Sequence, residues 1–94
     1  GLGDVYKRQN KEVYIMFLVI NSYTDSDGEQ FINSVVAFGN DSDAARRYMK
    51  EYAFESLREY ENAGTLESIV ERNNSITIKA KYSTDYFELC FINC

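Results

Sequence analysis

A chain of 94 residues has room for one domain at most. Its composition is 45% hydrophobic and 27% charged, with no proline, five glycines and no run of eighteen apolar residues, which excludes collagen-like or proline-rich disorder and a membrane-spanning helix. The lack of histidine removes imidazole-based triads and most zinc chemistry, and a formal charge of −5 opposes phosphate backbones and anionic membrane surfaces.

The first nine residues, GLGDVYKRQ, fit nothing that follows. Back-translated, Asp4-Val5-Tyr6-Lys7-Arg8-Gln9 resembles the end sequence recognised by a transposase used to fragment DNA for sequencing, and Gly1-Leu2-Gly3 resembles the translated adaptor joined to it. The resemblance implies a non-native segment over 1–9, with the native start missing or near Asn10; the elements of 10–94 then predict a single α+β domain. Residues 10–94 hold 8 basic and 14 acidic side chains, a formal charge of −6.

Val13 to Ile20 is a continuous apolar run of β-branched and aromatic residues, which predicts a strand with both faces at least partly covered, hence central in its sheet. A polar loop over Asn21–Gln30 follows, with a turn at Asp25-Ser26-Asp27-Gly28, and Phe31 to Phe38 is the second strand. Asn40 or Asp41 caps a helix from Ser42 to about Asn62, stopped by Gly64 in the left-handed conformation. Ala45, Tyr48, Met49, Tyr52, Ala53, Ser56, Tyr60 and Ala63 share one arc of this helix. Phe54 departs from the pattern, because it points into the opposite, charged arc.

Beyond Gly64, a short strand is expected over Glu67–Glu71, turned by Asn73-Asn74. Ser75 to Tyr82 alternates, with Ile76, Ile78, Ala80 and Tyr82 on one face. Ser83-Thr84-Asp85 turns the chain into Tyr86–Ile92, whose Phe87, Leu89 and Phe91 face inward. The order ββα(β)ββ predicts a two-layer α+β fold: an antiparallel sheet of four to five strands, in the order 2-1-5-4-3, with one amphipathic helix across it.

Chemistry-bearing motifs are scarce. Tyr23 to Glu29 imitates a calcium loop, but aligning Gly28 to the sixth position puts Tyr23 at the first and Ser34 at the twelfth, and neither suits a calcium ligand there. Asp25, Asp27 and Glu29 form the one loop cluster of carboxylates, and a polar hairpin tip does not separate their pKa values for acid–base work. Cys90 and Cys94 stand about 13 Å apart on an extended strand, too far for a disulfide unless the last residues curl back. A reducing cytoplasm is therefore the expected setting. No catalytic, cofactor or metal residue is singled out.

Val36 to Ala45, VAFGNDSDAA, resembles a strand-to-helix junction of small bacterial and phage proteins with a hairpin, helix, hairpin layout and no agreed activity. The resemblance implies a fold and a bacterial or phage source, and no site residue. The function expected is that of a small non-enzymatic binding or regulatory protein acting through a sheet face or edge, with a protein partner or a second copy. Phe54 and Tyr82 are the candidate partner contacts, and so is the exposed set of the first strand (Tyr14, Met16, Leu18, Ile20, or its alternate). A small enzyme using loop carboxylates or a lysine (Lys79 or Lys81) is the runner-up. An acidic DNA mimic is the third reading.

Overall fold

A computed structural model describes residues 15–93. The adaptor-like segment 1–9, the expected strand residues Val13 and Tyr14, and Cys94 lie outside the described residues. The elements are β1 (Ile15–Thr24), β2 (Gln30–Ala37), α1 (Ser42–Ala63), β3 (Leu66–Glu71), β4 (Ser75–Ala80) and β5 (Thr84–Asn93). The strands make one antiparallel sheet in the order β2-β1-β5-β4-β3, and α1 crosses one face of it. This is the expected two-layer α+β fold with the expected strand order.

The apolar first strand lies inside the sheet because its backbone is paired on both sides. Its ladder with β5 runs unbroken from Ile15↔Asn93 to Thr24↔Thr84. Capping settles the helix ends. Asp41 accepts the Ala44 N–H at 3.0 Å, and Gly64 takes φ 73°, where a side chain would be strained. Ala45, Met49 and Ala53 are the buried side chains of α1, and they meet Val19, Ile76, Ile78, Phe87 and Leu89 from the sheet. Small residues at two of these three positions let the helix approach closely. Rings then fill the flank: Phe38, Tyr48, Tyr52 and Phe87 form a chain with successive centroids 5.2, 5.7 and 5.2 Å apart.

Several expectations need correction. β1 continues through Asn21 to Thr24, so the polar loop shrinks to a tight turn closed by Asp25, which accepts the N–H groups of Asp27 and Glu29 at 3.0 Å. β4 stops at Ala80 and β5 begins at Thr84, which moves the turn to 81–83 and takes Tyr82 off the inward face. Phe91, expected inward, is exposed, as is Ala63. Phe91 pairs with Phe17 near the end of the sheet, with ring centroids 6.0 Å apart, and it stays outside the buried core that Phe17 packs against.

Candidate interaction surface

Register assigns every side chain to a face, because alternate residues of a strand point to opposite sides. Val19, Phe87, Leu89, Ile76 and Ile78 face the helix. Their neighbours Met16, Leu18 and Ile20 on β1 therefore face away, paired with Ile92, Cys90 and Glu88 of β5. On β2, Val35 and Ala37 lie across from Ile20 and Leu18, and Ile32 lies across from Ser22. The outer face of β2-β1-β5 is thus apolar toward the end that holds Leu18 and Val35 and uncharged but polar toward Ser22 and Thr24, and among the described residues Glu88 is its one charged side chain, in a chain where 27% of residues are charged. Ile32 is 72% exposed and Val35 54%. Among the described residues no element packs on this face. A shallow depression of about 440 Å³ opens on it, lined in part by Ile20, Ser22, Ile32, Tyr86 and Glu88. The Tyr86 hydroxyl donates to Glu88 at 3.1 Å, which holds that carboxylate at the rim. Burial, and secondarily Glu88, push the Cys90 thiol above its ordinary pKa, so it stays neutral within the patch.

The structure does not bring the two single candidates together with this surface. Phe54 projects from the side of α1 turned away from the sheet and is 46% exposed. Tyr82 sits in the β4–β5 turn, 62% exposed, with the Lys81 ammonium 5.4 Å from its ring centroid. Of the first-strand alternatives, Met16, Leu18 and Ile20 lie on the open face. Lys79 also faces outward, beside Thr84, while Lys81 belongs to the turn. Asp25, by contrast, is committed to its own turn.

Periodicity gave no sign of two polar groups beneath the helix. The first is a network at a β-bulge where Asn33 is the extra residue of β2. Asn33 donates to the Asn21 side-chain oxygen at 2.8 Å and to the Tyr52 hydroxyl at 2.9 Å, and buried Asn21 donates to the Tyr86 carbonyl at 3.1 Å. The second is Asp85, half-buried opposite Ile78, which accepts from the Tyr60 hydroxyl at 2.9 Å while Ser83 Oγ lies 3.0 Å from that hydroxyl. Burial raises the Asp85 pKa, hydrogen bonds from Tyr60 and Ser56 oppose the shift, and the nearby Glu59 adds to it. The Tyr60 hydroxyl is raised as well, chiefly by its own burial.

No protein-family model, curated protein or solved structure matches the chain. What it does must be argued from its surfaces. The Asp85 group is a half-buried proton-binding site held by Tyr60 of the helix, and it is not among the residues that line the outer-face depression. Its consequence is for stability. Because the folded pKa lies above the ordinary value of about 3.9, the folded state holds more protons between those two values, and stability falls as pH rises through the folded pKa. That contribution is complete below about pH 3.9 and is lost as pH rises past the folded pKa. Asp85→Asn keeps an acceptor for Tyr60 without the charge. The variant is expected to be at its most favourable relative to the parent at neutral pH, with the difference shrinking toward pH 4. Urea unfolding of both proteins across that range checks this, and a difference growing toward acid would refute it.

Proposed function

We propose that the protein is a small non-enzymatic binding module that engages a protein partner through the outer face of β2-β1-β5. The observation that carries this reading is the near-absence of charge on that face, against a helix and loops rich in both signs. Contiguous exposed apolar surface is costly to a soluble chain and marks an interaction site when it is retained. The acidic balance and the distribution of lysines disfavour nucleic acid and anionic membranes as partners. Among the described residues no helix is long and apolar enough to cross a membrane.

Ile20→Lys tests the reading at the centre of the patch. The new ammonium lies across from Glu88, so the fold tolerates it, while the face gains a charge that a partner must desolvate. Affinity capture is expected to lose its specific partner with Ile20→Lys and to keep it with Phe54→Ser, which alters only the outer side of α1. Tyr82→Ser, in the β4–β5 turn, is expected to behave like Phe54→Ser. Capture that survives Ile20→Lys and fails with Phe54→Ser would move the site to the helix.

A further inference from the structure

The sheet has two edges, and they are built differently. β3, at one edge, carries Glu67 and Glu71, and its register shifts between Leu66 and Ser68. Both edge strands carry such a shift, so charge is what separates them, and charge on an edge strand opposes pairing with another strand. β2, at the other edge, reads Gln30-Phe31-Ile32-Asn33-Ser34-Val35-Val36-Ala37, with no charge and no proline, and most of it is exposed. Its bulge at Asn33 ends before Ser34, so the segment from Ser34 to Ala37 remains regular. Among the described residues nothing pairs with its outer side.

Backbone direction follows from the contacts beside it. The Phe38 N–H donates to Phe17 of β1, so by two-residue alternation Val36 also turns to β1, and the amides and carbonyls of Val35 and Ala37 turn to the free edge. We propose that this edge pairs antiparallel with β2 of a second copy, Val35 opposite the partner's Ala37 and Ala37 opposite the partner's Val35, to give a continuous ten-stranded sheet.

A second copy fits for two reasons on the structure. An antiparallel strand pair has a two-fold axis perpendicular to the sheet, so a strand can satisfy itself without a different sequence opposite. A chain of formal charge −6 over residues 10–94 also repels its own copy, and β2 is an edge where no side chain adds to that repulsion. The inference rests on the binding face proposed above and enlarges it. The same axis leaves both helices on one side and both apolar faces on the other. One patch covers three strands over about seven residues, about 300 Å² in projection. That is well below the area of about 800 Å² per partner in a standard interface. Two joined patches, about 600 Å² before side-chain relief is counted, approach it.

Sedimentation velocity over a concentration series, with residue-resolved amide exchange, tests the pairing. The expected result is a dimer whose formation slows exchange at Val35 and Ala37 at least tenfold, with no comparable change across β3. Ala37→Pro removes an N–H that turns to the free edge and has no partner among the described residues, and it is expected to return the sedimentation coefficient to that of a monomer. If that variant fails to fold, the exchange measurement on the parent protein still decides. Ile20→Lys separates this inference from the proposed function. It is expected to abolish partner capture and leave the dimer intact. A parent protein that stays monomeric at about 100 µM, or a dimer that leaves Val35 and Ala37 unprotected, overturns edge pairing without touching the face. A dimer lost with Ile20→Lys would mean that the copies meet face to face, which overturns edge pairing as well.

Discussion

Phe87→Ala is expected to destabilise the protein by about 3–5 kcal/mol, the loss typical of a large aromatic removed from a core. Phe87 is the largest of the fully buried side chains. It lies on β5, between β1 and β4, with Asn21 and Ile76 as its cross-strand neighbours. Tyr52 of α1 meets its ring edge-on with centroids 5.2 Å apart, so one side chain joins three strands to the helix. Truncation would leave a void that cannot collapse, because the ladders on both sides of β5 hold its backbone in place. Domains of this size have about 5–15 kcal/mol to lose, so the variant should be partly unfolded at 37 °C. Phe87→Leu keeps most of the volume and should cost less than half as much. The midpoints of urea unfolding for both variants test the assignment. A loss below about 1 kcal/mol for Phe87→Ala would mean that the core lies elsewhere.

The strand order was legible because one segment, Val13 to Ile20, is apolar at both alternating sets and so had to be interior. The final hairpin then had only one place to join. The helix was legible from its ends, since Asp41 and Gly64 act through local backbone geometry that no distant contact overrides. Asn21 was not legible. Read locally, Asn-Ser-Tyr-Thr looks like the start of a loop, yet Asn21 is buried opposite Phe87 because Asn33 and the Tyr86 carbonyl satisfy its amide. Those partners are 12 and 65 residues away, beyond any pattern of period two. Asp85 was hidden for the same reason, since a tyrosine 25 residues earlier supplies its hydrogen bond. Phe91 misled in the opposite sense. Its alternation with Phe87 and Leu89 is real, and it does point to the helix side, but the helix does not extend over that end of the sheet. Periodicity reports which side a residue faces and says nothing about whether that side is covered there.

The open face was half legible. That a single helix leaves one face of a five-stranded sheet exposed follows from element count alone. Which of the two first-strand sets occupies that face follows only from the register, which puts Val19 under the helix and Met16, Leu18 and Ile20 outside. Phe54 stands out as an exception to the pattern of its helix, while Tyr82 belongs to the alternation of Ser75–Tyr82 and stands out only as a single large aromatic. The surface that carries the functional proposal is instead made of residues that are unremarkable one by one and notable only as neighbours across β2, β1 and β5.

Tyr52→Ala should cost about 3 kcal/mol, and Tyr52→Phe divides that loss between ring and hydroxyl. The ring packs edge-on against Phe87 at 5.2 Å and against Tyr48 at 5.7 Å, so the alanine variant loses aromatic area at the junction of helix and sheet. The hydroxyl accepts from Asn33, the bulged residue of β2, and thereby ties the helix to the edge strand. Removing the hydroxyl alone leaves the Asn33 amide its second acceptor on Asn21, so Tyr52→Phe should cost about 1 kcal/mol or less. The two variants also separate stability from edge geometry. If the hydroxyl positions the bulge, Tyr52→Phe should speed amide exchange around Asn33 by more than its effect on global unfolding explains, while exchange in the β4–β5 ladder changes only as global stability does. Uniform acceleration across all strands would show that the bulge holds its shape from the β1 ladder and Asn21, and that Tyr52 contributes only its ring.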